Sequence, residues 1–139
     1  RTIALNVSVK NAPAKLTLMA SGAPELKLVG NAAVGPLDEL LEGMEASAAR
    51  EYLQAVVAIG IGKVNQAMGT LERLAKGEGD EVARFARATL RRLALIEAEA
   101  TLPNTFEAHF RLALYAQQCG FFRAARIHYS EALRAGPVV

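Results

Sequence analysis

The sequence predicts a mainly α-helical protein that begins with a small antiparallel β-sheet. Two observations predict it. Residues 1–35 alternate between apolar and polar side chains, which is the pattern of a strand with one buried face. From residue 36 the apolar residues recur at helical spacing, and the chain becomes rich in alanine and leucine. We therefore divide the chain into a β segment over 1–35 and a helical domain over 36–139.

Three strands are predicted in the β segment. The first places one apolar set on a single face: Ile3, Leu5, Val7 and Val9. Leucines at every second position continue the pattern in the other two strands: Leu16, Leu18, Leu26 and Leu28. Turns are expected at residues 11–13 and 21–24, where Asn, Pro, Gly and Ser cluster. Such a meander is too small to be stable alone, so it must rest on the helical part, on another chain or on a missing segment.

The helical domain divides into a short segment and five longer helices. The short segment covers residues 37–44. The longer helices are predicted at 47–60, 64–76, 80–101, 106–118 and 122–135. Residues 76–80 form a loop, with Asp80 as the N-cap of the next helix. A second break precedes residue 106, where Asn104 or Thr105 supplies the cap.

Composition excludes several classes of protein. The 139 residues are 52% hydrophobic and 22% charged with a net charge of +2, which excludes a disordered chain and a strongly basic nucleic-acid binder. A single cysteine cannot form an internal disulfide or a multi-cysteine zinc site. No apolar run is long enough to span a bilayer. We favour a cytoplasmic location, with the periplasm or secretion left open because the sequence begins at Arg1 rather than Met.

The C-terminal stretch carries the most informative pattern. Small and large residues occupy particular positions on either side of a turn glycine there. Pro103 stands 34 residues before Pro137. The pattern consists of Leu112, Ala113, Gly120, Phe122, Ala125, Tyr129, Ala132, Leu133 and Pro137. These residues resemble a tetratricopeptide repeat, strongest over 106–137. In such a hairpin the alanines allow close helix contact, Gly120 ends the first helix, and Leu112, Tyr129 and Leu133 fill the space between the helices.

A weaker copy of this pattern lies 58 residues earlier, over 48–79. Gly62 matches Gly120, and further matches are Ala55, Val64, Ala67 and Leu71. The intervening stretch from 80 to 101 has room for one long helix or a truncated unit. The resemblance therefore implies a fragment of an α-solenoid whose middle unit is irregular.

A tetratricopeptide-like fold implies a protein-interaction module, because the first helix of each pair in that family lines a groove for peptide or helix ligands. Carried onto this chain, the groove residues are Tyr52, Val56, Ile59, Glu107, Phe110, Leu114 and Gln117. Most are apolar, and paired basic residues that would clamp a carboxylate are missing. This surface suits an amphipathic helix or an apolar strand better than an acidic tail. The alternative is that Val56, Ile59 and Leu114 pack against the helix at 80–101.

The last unit also predicts a surface that another protein covers. Its apolar residues are Leu112, Phe122, Ile127 and Leu133. The covering protein is either a partner or a second copy, and the unpaired strand edges of the β segment offer a further contact. A structural subunit of a larger homo-oligomer is the alternative function. A complete small domain, with the β segment lying over this surface, is also left open.

Catalytic and ligand-binding motifs are weak in this sequence. Gly60-Ile61-Gly62-Lys63 lacks the spacing and the hydroxyl residue of a phosphate loop. His109 and Cys119 lie near opposite ends of one helix, and His128 has no obvious orienting carboxylate, so packing roles are favoured. We therefore expect no enzyme activity, no cofactor and no metal.

A basic stripe is the remaining candidate for ligand binding. It consists of Arg84, Arg87 and Arg91, with a further pair at Arg123 and Arg126. Phosphate or acidic partners could bind there. However, aromatic residues do not alternate with the arginines, and glutamates balance their charge, so we favour a solvated face and expect no nucleic-acid partner.

Overall fold

The computed structural model describes residues 3–19, 23–29, 37–77, 81–99 and 103–136. It consists of a three-stranded sheet followed by six helices in the described residues, which confirms the mainly α class with a small N-terminal sheet. The strands are β1 (Ile3–Val9), β2 (Ala12–Leu18) and β3 (Pro24–Leu28). The helices are α1 (Leu37–Glu42), α2 (Ala48–Gly60), α3 (Val64–Ala75), α4 (Glu81–Glu99), α5 (Phe106–Gln118) and α6 (Phe122–Ala135).

The sheet is an antiparallel meander in the order β1-β2-β3, as predicted. The first turn is earlier than predicted. It is made by Lys10 and Asn11, whose φ angles of 50° and 64° are both left-handed, and Ala12 and Pro13 already belong to β2. A two-residue turn with positive φ at both positions matches the twist of the flanking strands, which favours this tight connection. Residues 21 and 22 of the second expected turn lie outside the described residues, and Pro24, which was expected in that turn, already begins β3.

The sheet rests on the helical part. Its inner face contributes Ala14, Leu16 and Leu26 to the same buried cluster as the helices. β1 packs against α4, and β3 packs against α1. The connection after α1 also holds the sheet, because the amide of Lys10 donates to the carbonyl of Gly43 at 2.7 Å. The sequence left three supports open for this small sheet: the helical part, another chain or a missing segment. The structure shows the first of these.

Local capping residues explain where α2 and α5 begin. The Ser47 side chain accepts a hydrogen bond from the amide of Arg50 and caps α2. Thr105 caps α5 by accepting from the amide of Ala108 at 3.2 Å, which decides between the two candidates. Asn104 instead hydrogen-bonds a histidine further along. Asp80, the predicted cap of α4, lies outside the described residues.

Helices α2 and α3 form one antiparallel hairpin, and α5 and α6 form another. The two hairpins have the same turn, displaced by 58 residues. Gly62 and Gly120 have φ angles of 95° and 82°, a left-handed conformation that a Cβ disfavours. The amide of Lys63 bonds the carbonyl of Ala58, as that of Phe121 bonds that of Ala116, at 2.8 and 2.9 Å. The backbone therefore repeats where the sequence pattern repeats.

The interior of each hairpin is built from small residues, as expected. Ala55 and Ala113 are buried on the first helices, and Ala67 and Ala125 are buried on the second. The two hairpins contact each other near their turns, where a Cβ on Gly60 would lie 3.3 Å from the carbonyl oxygen of Gly120. This close approach explains why a glycine ends α2.

The prediction that Leu133 fills the space between α5 and α6 was wrong. Its side chain is 76% exposed, whereas Ala132 beside it is buried. On α6 the buried side carries Ala125 and Ala132, seven residues apart. Leu133 follows one position later, about 100° around the helix, and is turned from this buried side to the solvent.

Candidate functional site

The seven predicted partner-binding residues fall into two groups with opposite exposure. The three from the first hairpin, Tyr52, Val56 and Ile59, are buried, so their assignment to an open groove was wrong. The reason is that α4 packs on the α2–α3 hairpin and covers it. The four from α5 are exposed, namely Glu107, Phe110, Leu114 and Gln117.

The contacts of Tyr52 show how α4 covers the first hairpin. The ring of Tyr52 meets the ring of Phe85 edge to face, with centroids 5.5 Å apart. Its hydroxyl is 2.8 Å from the Thr89 hydroxyl, and both side chains are buried. Burial raises the pKa of Tyr52 to about 12, opposed by the hydrogen bond to Thr89 and by the charge of Arg92. The arginine Arg87 adds a hydrogen bond of 2.9 Å from α4 to the carbonyl of Ala75 at the end of α3.

Ile59 and Val56 complete the covered side of α2. Ile59 lies beside Leu93 and Ile96 of α4. Val56 lies beside Phe122, at the start of α6. The alternative that Val56, Ile59 and Leu114 pack against the long helix therefore agrees with the position of Ile59 alone, because Val56 lies beside α6 and Leu114 is 40% exposed.

On the second hairpin the equivalent side is open. Phe110 and Leu114 are each 40% exposed. The ring of Phe110 stacks on Phe106 with centroids 5.5 Å apart and meets Tyr129 of α6 edge to face at 5.8 Å. The hydroxyl of Tyr129 donates to Oε1 of Gln117 at 2.7 Å. These contacts hold the exposed aromatic side chains in place between α5 and α6.

Helix α6 extends this surface. Phe122, Arg126, Tyr129 and Leu133 follow one another at spacings of four, three and four residues, which places them on one side of the helix. Phe122 is 63% exposed, and Leu133 is more exposed still. We call the combined surface the α5–α6 face. Its residues are Phe110, Leu114, Gln117, Phe122, Arg126, Tyr129 and Leu133.

Sequence reasoning found only part of this face. It assigned the groove to the first helix of each pair and so left out Tyr129 and Arg126, although the spacing on α6 contained the signal. It also grouped Leu112 and Ile127 with the exposed apolar residues. Leu112 is buried, and Ile127 is exposed on a different side of α6, next to Leu93 and Ile96.

The two histidines lie together between α5 and α6. Nδ1 of His109 is 3.1 Å from Nδ1 of His128, and Nε2 of His109 is 2.7 Å from Oδ1 of Asn104. One consistent arrangement has His109 donating from Nε2 to Asn104 and accepting at Nδ1 from His128. Burial, and then the charge of His109, lower the pKa of His128, while Glu131 acts in the opposite direction. The prediction of a packing role for the histidines agrees with this arrangement.

Cys119 is fully buried, more so than a residue beside a turn would suggest. Burial raises the pKa of its thiol, which favours the unreactive protonated form. Within the described residues, no group of three or more His, Cys, Asp or Glu side chains could hold a metal ion.

Two arginines of the basic stripe have structural partners. Arg84 forms an ion pair with Glu81 at 3.2 Å, and Arg87 is occupied by the hydrogen bond to α3. Gly60 and Gly62 belong to the end of α2 and the turn after it, as expected for a helical hairpin. Arg91, Arg123 and Arg126 are exposed to solvent.

Comparisons with protein-family models, with curated proteins and with solved structures found no match for this chain. The helices in the described residues are all too short or too polar to cross a lipid bilayer.

Proposed function

We propose that this chain is a protein-interaction module with tetratricopeptide-like helical hairpins, and that the α5–α6 face is its binding surface. The observation that carries the proposal is the difference between equivalent faces. Tyr52 on the first hairpin is covered by α4, whereas Phe110, at the equivalent position on the second, is exposed. Contiguous exposed apolar side chains of this kind mark surfaces that other proteins cover.

Two features support a binding surface rather than a loosely packed end. The aromatic side chains of the face contact one another, and Tyr129 and Gln117 are joined by a hydrogen bond, so the surface is organised before anything binds. A preorganised surface loses less conformational entropy on association. The proposed role is binding rather than catalysis, because the histidines bond each other and the cysteine is buried.

A homo-oligomeric assembly is the second candidate. The observation that favours it is the high exposure of Phe122 and Leu133, which lie at opposite ends of α6 and could meet a second copy. In that case the proposed face would be a subunit contact.

Site-specific photo-crosslinking tests the proposal. A photoreactive phenylalanine replaces Leu114 on the face, and in a matched variant it replaces Leu95, which is 51% exposed on α4. The proposal predicts a discrete cross-linked species from position 114, and none from position 95, in an extract of the cells that make the protein. Cross-links to itself favour the oligomer. Equal yields from both positions, or no product from position 114, would overturn the proposed function.

A further inference from the structure

The two hairpins of this chain differ in what covers them, and the difference indicates what the α5–α6 face accepts. A displacement of 58 residues superposes their sequence patterns and their turns. Under it, the covered residues Tyr52, Val56, Ile59 and Leu71 correspond to Phe110, Leu114, Gln117 and Tyr129. On the first hairpin the main occupant is a single helix, α4, which contacts both α2 and α3. The α5–α6 face, which is equivalent to the side that α4 covers, is therefore suited to binding one helix that lies along the hairpin.

The side of α4 that meets the first hairpin defines the apolar part of such an occupant. Phe85, Thr89, Leu93 and Ile96 are buried there, at spacings of four, four and three residues. The opposite side of α4 is exposed and carries Arg84 and Arg91. An occupant of this kind is an amphipathic helix with an apolar stripe about three turns long.

The charge of the face differs between the two hairpins. Met68 on α3 corresponds to Arg126 on α6, and buried Leu53 on α2 corresponds to exposed Arg111 on α5. Among the described residues, neither Arg111 nor Arg126 takes part in any of the four ion pairs. Glu107 precedes Phe110 and Leu114 at spacings of three and four residues, so the α5 side of the face is acidic and its positive charge lies on α6. Arg126, which lies within the face without an ion-pair partner, favours a partner with an acidic side chain beside its apolar stripe.

We propose that the α5–α6 face binds an acidic amphipathic helix of a partner protein. The inference rests on the proposed function and specifies its ligand. The helix lies along the hairpin as α4 lies on α2 and α3, its apolar stripe against Phe110 and Leu114, and an acidic side chain pairs with Arg126. Helix α4 of a second copy fits less well, because its exposed Arg84 and Arg91 would lie against Arg126, and like charges repel.

Binding of two matched peptides to the full chain tests this inference. The first peptide has the sequence of residues 81–99 and carries a fluorophore. The second differs only at Arg84, Arg87 and Arg91, each replaced by Glu. Fluorescence anisotropy should show the acidic peptide binding about tenfold more tightly than the natural one at low salt, and the difference should shrink as salt is added.

Three variants of the full chain locate the binding. Leu114→Glu should remove binding of the acidic peptide, and Leu95→Glu, which places the same change on a different exposed surface, should leave it intact. Arg126→Glu should reverse the preference between the peptides without changing the apolar surface. Circular dichroism on each variant establishes that the fold is kept.

The inference is overturned if the natural peptide binds as tightly as the acidic peptide or more tightly. It is also overturned if Leu95→Glu weakens binding as much as Leu114→Glu does, or if neither peptide binds. A stable dimer that Leu114→Glu dissociates would assign the face to a second copy and overturn it as well. The photo-crosslinking result separates this failure from that of the proposed function. A partner cross-linked at position 114 with no peptide binding would rule out only the acidic helix as ligand.

Discussion

Tyr52 and Phe110 hold equivalent positions in the two helical hairpins, 58 residues apart, and differ in exposure. Tyr52 is fully buried against Phe85 and Thr89 of α4. Phe110 is 40% exposed, and the two rings that it meets, those of Phe106 and Tyr129, belong to its own hairpin. A single architectural unit therefore serves two purposes. One copy forms part of the core, and the other presents the same side to solvent.

The buried hydroxyl pair between α2 and α4 should contribute measurably to stability. Tyr52→Phe leaves the Thr89 hydroxyl without its partner in a buried site, and we expect the free energy of unfolding to fall by about 1–2 kcal/mol. Tyr129→Phe is the matched control, because the exposed bond to Gln117 is replaced by water, and its cost should be under about 0.5 kcal/mol. Urea denaturation measures both. Equal losses for the two variants would contradict the assignment.

The histidine pair predicts a dependence of stability on pH. The pKa of His128 is lowered in the folded protein, so the unfolded chain binds more protons below about pH 6.5. The stabilising contribution is therefore present above that pH and is lost as the pH falls towards the folded pKa.

His128→Gln is the test of this dependence. Urea unfolding between pH 7.5 and 5.5 should show the wild-type free energy of unfolding decreasing with acidification, with a smaller slope in the variant. The groups that face His128 in this test are His109 and Glu131, and Glu131 is also paired with Arg134. An unchanged slope in His128→Gln, or a wild type that gains stability on acidification, would refute the account of the pair.

Two glycines in different conformations should respond to alanine in opposite ways. Gly69 lies within α3, and a Cβ there would meet nothing within 4 Å, so Gly69→Ala should raise the free energy of unfolding by up to about 1 kcal/mol. Gly120→Ala meets no neighbour either, but its φ of 82° is left-handed, so it should cost about 1 kcal/mol. Thermal or urea unfolding of the two variants checks the signs. A stabilising Gly120→Ala would show that the turn differs from the one described.

The sequence predicted the elements well because their signals are local. Alternation defined the strands, and the turn glycines Gly62 and Gly120 located both hairpins with correct helix bounds for α5 and α6. The first β-turn was misplaced because Lys10 carries no turn signal, while Pro13, which does, was accommodated in β2.

The candidate site was predicted less well because exposure is a tertiary property. The repeat pattern shows which side of α2 is apolar, but it cannot show that α4, which lies outside the pattern, covers Tyr52 and Ile59. The contact between His109 and His128 was missed for a similar reason. It depends on how α5 and α6 are aligned with each other, and two residues 19 positions apart carry no local sign of that alignment.

The central claim is that equivalent faces of the two hairpins are covered in one case and free in the other. The free energies of unfolding of Val56→Glu and Leu114→Glu, measured by urea denaturation, test it most directly. Val56 is buried, so a carboxylate there should cost more than about 3 kcal/mol or prevent folding, whereas at Leu114 it stays in water and should cost less than about 1 kcal/mol. A Leu114→Glu variant as unstable as Val56→Glu would show that the α5–α6 face is already covered within the chain and would contradict the account.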